Sequence, residues 1–288
     1  MASGNEKLAR SADRIKERYL AAVNRNDLAE ALRIGVDDLL PVSEELAGRD
    51  AQFLNPLGIT LRNLSAISHH LRRPIAQFHF AQRSLHVAVE VEPAGHALHP
   101  GLEDVAGVTA TIATEIAGTG VSRVGPADRE LLFPAAAMIP RSMEIMMRLD
   151  SKPWAAQLRL AATELRKAAW AHDAKMVDCE SQAIVWLARI SRDIGEPAFA
   201  VEEIRRALLL WIDQLGSTSR YWSSELEQTW TVAVDVLDSL GHRRAAAELR
   251  AAIDQAAGRH GRADLTGLAN ALDLRHRYEA AANALRRR

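Results

Sequence analysis

The chain has 288 residues and a single cysteine, Cys179. One thiol excludes an intramolecular disulfide framework and a cysteine-rich zinc site. Aromatic residues are also scarce, at 5%. Neither sign of charge is in excess: the formal net charge is −1, with 25% charged residues. That balance removes any global pull toward nucleic acid or an anionic membrane. The longest largely apolar run, LLFPAAAMIP, is ten residues with two prolines. It is too short to cross a bilayer. The opening MASGNEKLARSADR has no apolar stretch of the kind a secretory signal needs. The Val-Ile-Thr alternation of half-buried strands is hardly seen. A cytoplasmic, all-α protein is the expectation, with no membrane partner and no reason to bind nucleic acid.

Motifs that carry chemistry are missing too. There is no GxSxG elbow for a serine nucleophile. The pair Asp37-Asp38 meets Pro41 where the third acid of a DDxxD magnesium motif would fall. Glu-x-x-His pairs of carboxylate-bridged di-iron bundles are absent. Six of the ten histidines lie within 31 residues, at 69, 70, 79, 86, 96 and 99. Imidazole can ligate zinc, but this spacing matches no HExxH-type pattern. Ordinary surface and helix-end positions account for these histidines, and no bound metal or cofactor is expected. The glycines of AGTGVSRVG, 117–125, lack the strand, helix start and Lys-Ser or Lys-Thr of a phosphate loop. They are read as a hinge or turn, and no catalytic set emerges.

What the chain does have is alanine and helical punctuation. Apolar residues reach 48%, and many are Ala, which favours helices and lets them approach closely. The 3.6-residue periodicity predicts helices over 6–24, 28–40, 53–71, 74–91, 103–117, 127–138, 141–149, 154–171, 173–194, 197–214, 220–240, 243–258 and 263–286. Pro74 and Pro197 suit first helical turns, and Asp27 can cap the helix that follows it. Residues 93–153 hold six of the ten prolines and six of the sixteen glycines. They are too long for an ordinary loop and too apolar for a disordered linker. Three segments follow: N-terminal helical hairpins over 1–92, an irregular Pro/Gly-rich helical connection over 93–153, and C-terminal hairpins over 154–288. The last ends in an arginine-rich helix read as a cap with a solvated basic side. Met138, Met143, Met146 and Met147 are read as core filling. The six tryptophans, all between 154 and 230, are read mainly as gap fillers in an Ala-rich core.

Two stretches offset by 123 residues look like copies of one unit: LSAISHHLRRPIAQFHFAQRSL from Leu64 and LARISRDIGEPAFAVEEIRRAL from Leu187. Within the second, Leu187, Ala188, Gly195, Ala200, Ile204 and Ala207 resemble the tetratricopeptide repeat. AVDVLDSLGHRRAAAELRAAI, with Gly241 at its turn, and RYLAAVNRNDLAEALRIG, with Asn26 at its turn, are weaker copies. Asn26 to Arg72 and Gly195 to Gly241 are each 46 residues, against about 34 in the regular family. The units are therefore irregular members of that pattern, and the resemblance implies a solenoid of stacked helical hairpins.

The resemblance also implies where a ligand sits, because the first helices of such hairpins line a concave groove. Carried onto this chain, those positions are Arg62, Asn63, Ala66, His69 and His70 in one unit. In the other they are Gln182, Val185, Trp186, Arg189, Arg192 and Asp193, joined by Asp235 and Asp238. Guanidinium groups hold carboxylates bidentately, so an acidic or C-terminal peptide segment is the expected ligand. The leading expectation is a non-catalytic adaptor or sensor that binds a protein or peptide, with self-association left open. The alternative is an all-α enzyme or small-molecule receptor, its pocket formed by the middle segment and the Trp-rich half.

Overall fold

A computed structural model describes residues 4–91, 100–119, 126–168, 174–193, 195–215 and 224–257. Among them every element is helical and there is no strand. No described helix is long and apolar enough to cross a membrane. The predicted helix 263–286, the basic tail, His96, His99, Trp170, Trp222 and the glycine loop at 120–125 lie outside the described residues.

The chain divides into two compact units, Met1–Leu149 and Asp150–Arg288. In the first, α1 (Gly4–Asn24) pairs with α2 (Leu28–Arg33), which runs through a π-helical turn (Ile34–Leu39) into α3 (Leu40–Arg49). A short 3₁₀ turn (Ala51–Phe53) leads to α4 (Leu54–His70), which pairs with α5 (Pro74–Glu90). Then come α6 (Pro100–Thr119), α7 (Pro126–Ala137) and α8 (Ile139–Arg148), and all three pack on α5. The Pro/Gly-rich helices up to Arg148 therefore lie within the first unit. In the second unit, α9 (Lys152–Ala168) packs on α10 (Ala174–Asp193). α10 pairs with α11 (Pro197–Leu215), and α12 (Ser224–Ser239) pairs with α13 (Arg243–Ala257). α10 also packs directly on α12.

The helix predicted over 28–40 runs on past Pro41 to Arg49. The π-helical turn absorbs the proline, which stands in the first turn of α3 where a missing N–H costs little. The same turn brings Gly35 against the core. A Cβ there would collide with Leu64 Cδ2 and lie 3.3 Å from Tyr19 Cε2. Both neighbours are buried.

Four hairpins, α1 with α2–α3, α4 with α5, α10 with α11, and α12 with α13, share one turn. Asn26, Arg72, Gly195 and Gly241 take positive φ, at 58°, 55°, 81° and 80°. The next N–H then reaches back to a helix carbonyl: Asp27 to Ala22 at 3.0 Å, Arg73 to Ser68 at 2.9 Å, Glu196 to Ser191 at 2.8 Å and His242 to Leu237 at 2.8 Å. This is the Schellman ending, which satisfies carbonyls that a helix terminus leaves free. Ala22, Ser68, Ser191 and Leu237, the residues accepting that bond, are fully buried. The following helix starts at once, with Asp27 Oδ1 accepting from the Glu30 N–H at 3.2 Å in the first hairpin and a proline opening the second and third.

Glycine suits this turn and arginine does not. Gly241→Ala is expected to lower stability by about 1 kcal/mol, and Arg72→Gly to raise it by up to about 1 kcal/mol, because only the side-chain-free residue enters left-handed space without cost. Thermal melts of the two variants should move in opposite directions. Equal shifts would show that the turn does not set the cost.

Small residues bring the helices together. In the second unit Ala188, Ala200, Ala207, Ala233 and Ala246 are buried between Val185, Ile204, Leu208, Trp230 and Leu249. Met143 and Met146 are fully buried in the first unit, as core filling requires. Cys179 is buried as well.

The first unit also carries a buried polar tie. Gln82 Nε2 donates to the Ala135 carbonyl at 2.8 Å. The Ser142 hydroxyl lies 3.1 Å from Gln82 Oε1 and 3.1 Å from the Met138 carbonyl. His86 Nε2 is 3.0 Å from the same hydroxyl oxygen. Arg73 Nε donates to Asp128 Oδ1 at 2.9 Å. These bonds fasten α7 and α8 to α5.

Candidate functional site

Counting back from the positive-φ residue puts the four hairpins in one frame. Asp13, Ile59, Gln182 and Gln228 each stand thirteen residues before it. Glu17, Asn63, Trp186 and Val232 stand nine before it. Each unit has a cleft between the first helices of its two hairpins, and all of these positions except Glu17 line one or the other.

In the first unit a cleft of about 270 Å³ opens between α1 and α4. Asp13, Lys16 and Leu20 come from α1, and Ile59, Thr60 and Asn63 from α4, with Leu39, Ser43, Leu46 and Phe53 beneath. Leu20 and Ile59 are 44% and 43% exposed, so apolar surface faces solvent here from both walls. Burial of Tyr19 at this cleft pushes its phenol up to about 12, so it stays a neutral hydroxyl at any ordinary pH.

In the second unit a cleft of about 600 Å³ lies between α10 and α12. Gln182 and Trp186 line one wall, and Glu227, Gln228, Thr231 and Val232 the other. The Arg189 guanidinium stands 4.8 Å from the centre of the Trp186 ring, a cation–π distance. Arg192 pairs with Asp193 at 2.7 Å and reaches across to Ser239 Oγ at 3.5 Å.

The structure thus brings Arg189 onto Trp186 and pairs Arg192 with Asp193 at the end of α10. It separates the residues of α4. Asn63 lines the α1–α4 cleft, whereas Arg62, one position earlier, lines a narrower cleft of about 60 Å³ facing α5 and α6. Successive residues of a helix point about 100° apart, so adjacent groove positions cannot both face the same gap. His69 and His70 are exposed at the end of α4, their rings edge-on at 5.7 Å. Ala66 is exposed and Val185 is fully buried in the core. Glu227, Gln228, Thr231, Leu20 and Ile59 were not singled out from the sequence. The offset of 46 residues would have found Gln228 from Gln182.

No group of His, Cys, Asp or Glu among the described residues is arranged to hold a metal ion. His86 and Ser142 form a His–Ser pair, but Ser142 is fully buried and already bonded to Gln82 and Met138. It is placed to join helices, not to attack a substrate. Glu203 is another buried titratable group. Burial pushes its carboxyl up, against the pull of Arg159 and Arg206; Arg206 Nη1 bonds it at 2.9 Å. It ties α11 to α9.

No family model matches the chain, and no curated protein and no solved structure matches it either.

Proposed function

We propose that the chain is a tetratricopeptide-like helical-repeat protein that holds a peptide segment of a partner across the first helices of its hairpins. One observation carries this reading: the position thirteen residues before the turn lines the cleft from both hairpins of each unit, and the position nine before it does so in three of the four hairpins. Equivalent positions turned toward open clefts are what a repeat array uses to build a binding surface. Gln182 and Gln228 supply amides on facing walls. Each can donate to and accept from a peptide backbone. Neither side chain has a hydrogen-bond partner among the described residues, so both are available. Trp186 adds an aromatic anchor of the sort that dominates interface energy. In the first unit Leu20 and Ile59 offer an apolar seat for side chains.

Panning a random peptide library against the intact protein tests this. Enriched peptides should lose about tenfold or more in affinity, on the order of 1.4 kcal/mol, on Gln182→Ala with Trp186→Ala or on Ile59→Asp. Arg244→Ala, on the exposed outer helix α13, should leave binding unchanged, and circular dichroism should show each variant folded. Peptides indifferent to both cleft substitutions, or no enrichment at all, would overturn the reading.

A further inference from the structure

The α10–α12 cleft has a sign of charge, and the arginines of α10 do not decide it. Glu227 stands on the α12 wall. Asp235 follows Thr231 by four residues and precedes Ser239 by four, so it continues the same stripe of α12 between the lining residues and the Arg192 contact. Asp238 lies exposed beside Ser239. None of these three carboxylates has an ion-pair partner among the described residues. The two arginines opposite are both engaged: Arg192 is neutralised by Asp193, and Arg189 is held over the Trp186 ring. The uncompensated charge of the cleft is therefore negative, beside an aromatic ring that already holds a guanidinium.

We propose that the α10–α12 cleft binds a basic peptide segment, with a lysine or arginine side chain seated beside Trp186 between Glu227 and Asp235. Carboxylates with no partner attract a cation and repel an acidic segment, and an electron-rich ring face adds to the same preference. Arg189 then acts as an internal placeholder. It covers the ring in the free protein and competes with the incoming cation. An acidic ligand, which Arg189 and Arg192 suggest in the sequence, would face three free carboxylates with both arginines occupied.

The inference rests on the peptide-groove reading, and the experiment separates the two. Three labelled peptides of repeated Gly-Ser-Arg, Gly-Ser-Gln and Gly-Ser-Glu are titrated into the intact protein at one fixed salt concentration. The arginine peptide should bind at least about tenfold more tightly than the glutamine peptide, and the glutamate peptide most weakly. Glu227→Gln with Asp235→Asn should remove most of that preference, and both are exposed, so the fold should survive. Arg189→Ala gives the decisive sign. It should strengthen binding of the arginine peptide by about two- to fivefold, because it frees the ring and removes a like charge. Weaker binding on Arg189→Ala, a preference for the glutamate peptide, or binding of no peptide overturns the proposal. If the glutamine or glutamate peptide binds best and Trp186→Ala abolishes it, the groove reading survives and only the charge inference falls.

Discussion

Lowering the pH from about 7.5 to about 4 is expected to cost the first unit roughly 3–5 kcal/mol through two rings on α5. His79 is 8% exposed and burial takes its pKa from 6.5 down to about 4. His86 falls to about 4 as well, first through burial and then through the nearby Arg141 charge. The unfolded chain takes up protons near 6.5, whereas the folded unit resists until about 4. Between those values the unfolded state binds more protons, so stability falls as the pH drops. It is full above about 6.5 and mostly lost by about 4. A shift of this size is worth roughly 3 kcal/mol at a fully buried ring, and the partly exposed His86 contributes less.

The tie around His86 sharpens the effect. With the Ser142 proton directed at Gln82 Oε1, the His86 Nε2–H donates to the Ser142 oxygen. Protonation leaves that bond in place but puts a charge among α5, α8 and Arg141. At His79 the Nδ1 atom is buried without a hydrogen-bond partner among the described residues, so a proton there gains nothing to offset the lost hydration. Amide exchange over α4 and α5 at the two pH values is the measurement. Tryptophan fluorescence reports the other unit, since all six tryptophans lie between 154 and 230. Protection of α5 should collapse in acid, and His79→Leu with His86→Gln should flatten the dependence. Equal protection at both pH values would show that the rings are hydrated.

Those two histidines mark where the sequence stopped being legible. Seven residues apart, they share a helix face, and that much could be read. Whether the face is buried depends on α7 and α8, which return from more than forty residues away to cover it. The sequence reads the histidines as ordinary surface and helix-end residues, and the structure corrects this at His79, which is buried, and at His86, which is half-buried. Helix positions were legible because punctuation is local: Pro74, Pro197, Gly195 and Gly241 fall at the ends they predict. The π-helical turn at Ile34–Leu39 left no such signal, since it answers to the close approach of Gly35 to Leu64. The candidate site divides the same way. Trp186, Arg189 and Arg192 share a face by spacing alone, whereas Arg62 and Asn63 part company because different helices lie on either side of α4. The opposite wall of the second cleft, with Glu227 and Asp235, follows only once α12 is known to lie against α10.

Ala200→Trp should be among the most disruptive single changes in the second unit, lowering its stability by about 3 kcal/mol or more. Ala200 is fully buried and sits in the core formed by Val185, Ala188, Ile204 and Trp230. It occupies the place in its hairpin, five residues after the positive-φ turn, that Ala31 and Ala246 take in two others, and both of those are also buried. A small side chain at that place lets α11 lie close to α10. An indole in a core with no space must displace one helix or expel a neighbour. The loss should extend to the cleft, because α10 carries Trp186 into it and packs on α12. Ala198→Trp is the control: Ala198 is exposed one half-turn earlier on α11, and the change should stay within about 0.5 kcal/mol. Urea unfolding followed by tryptophan fluorescence reads the second unit directly. A midpoint for Ala200→Trp equal to that of Ala198→Trp would mean that the α10–α11 contact is not closed by this alanine, and that the hairpin frame shared by the four turns does not govern how the helices pack.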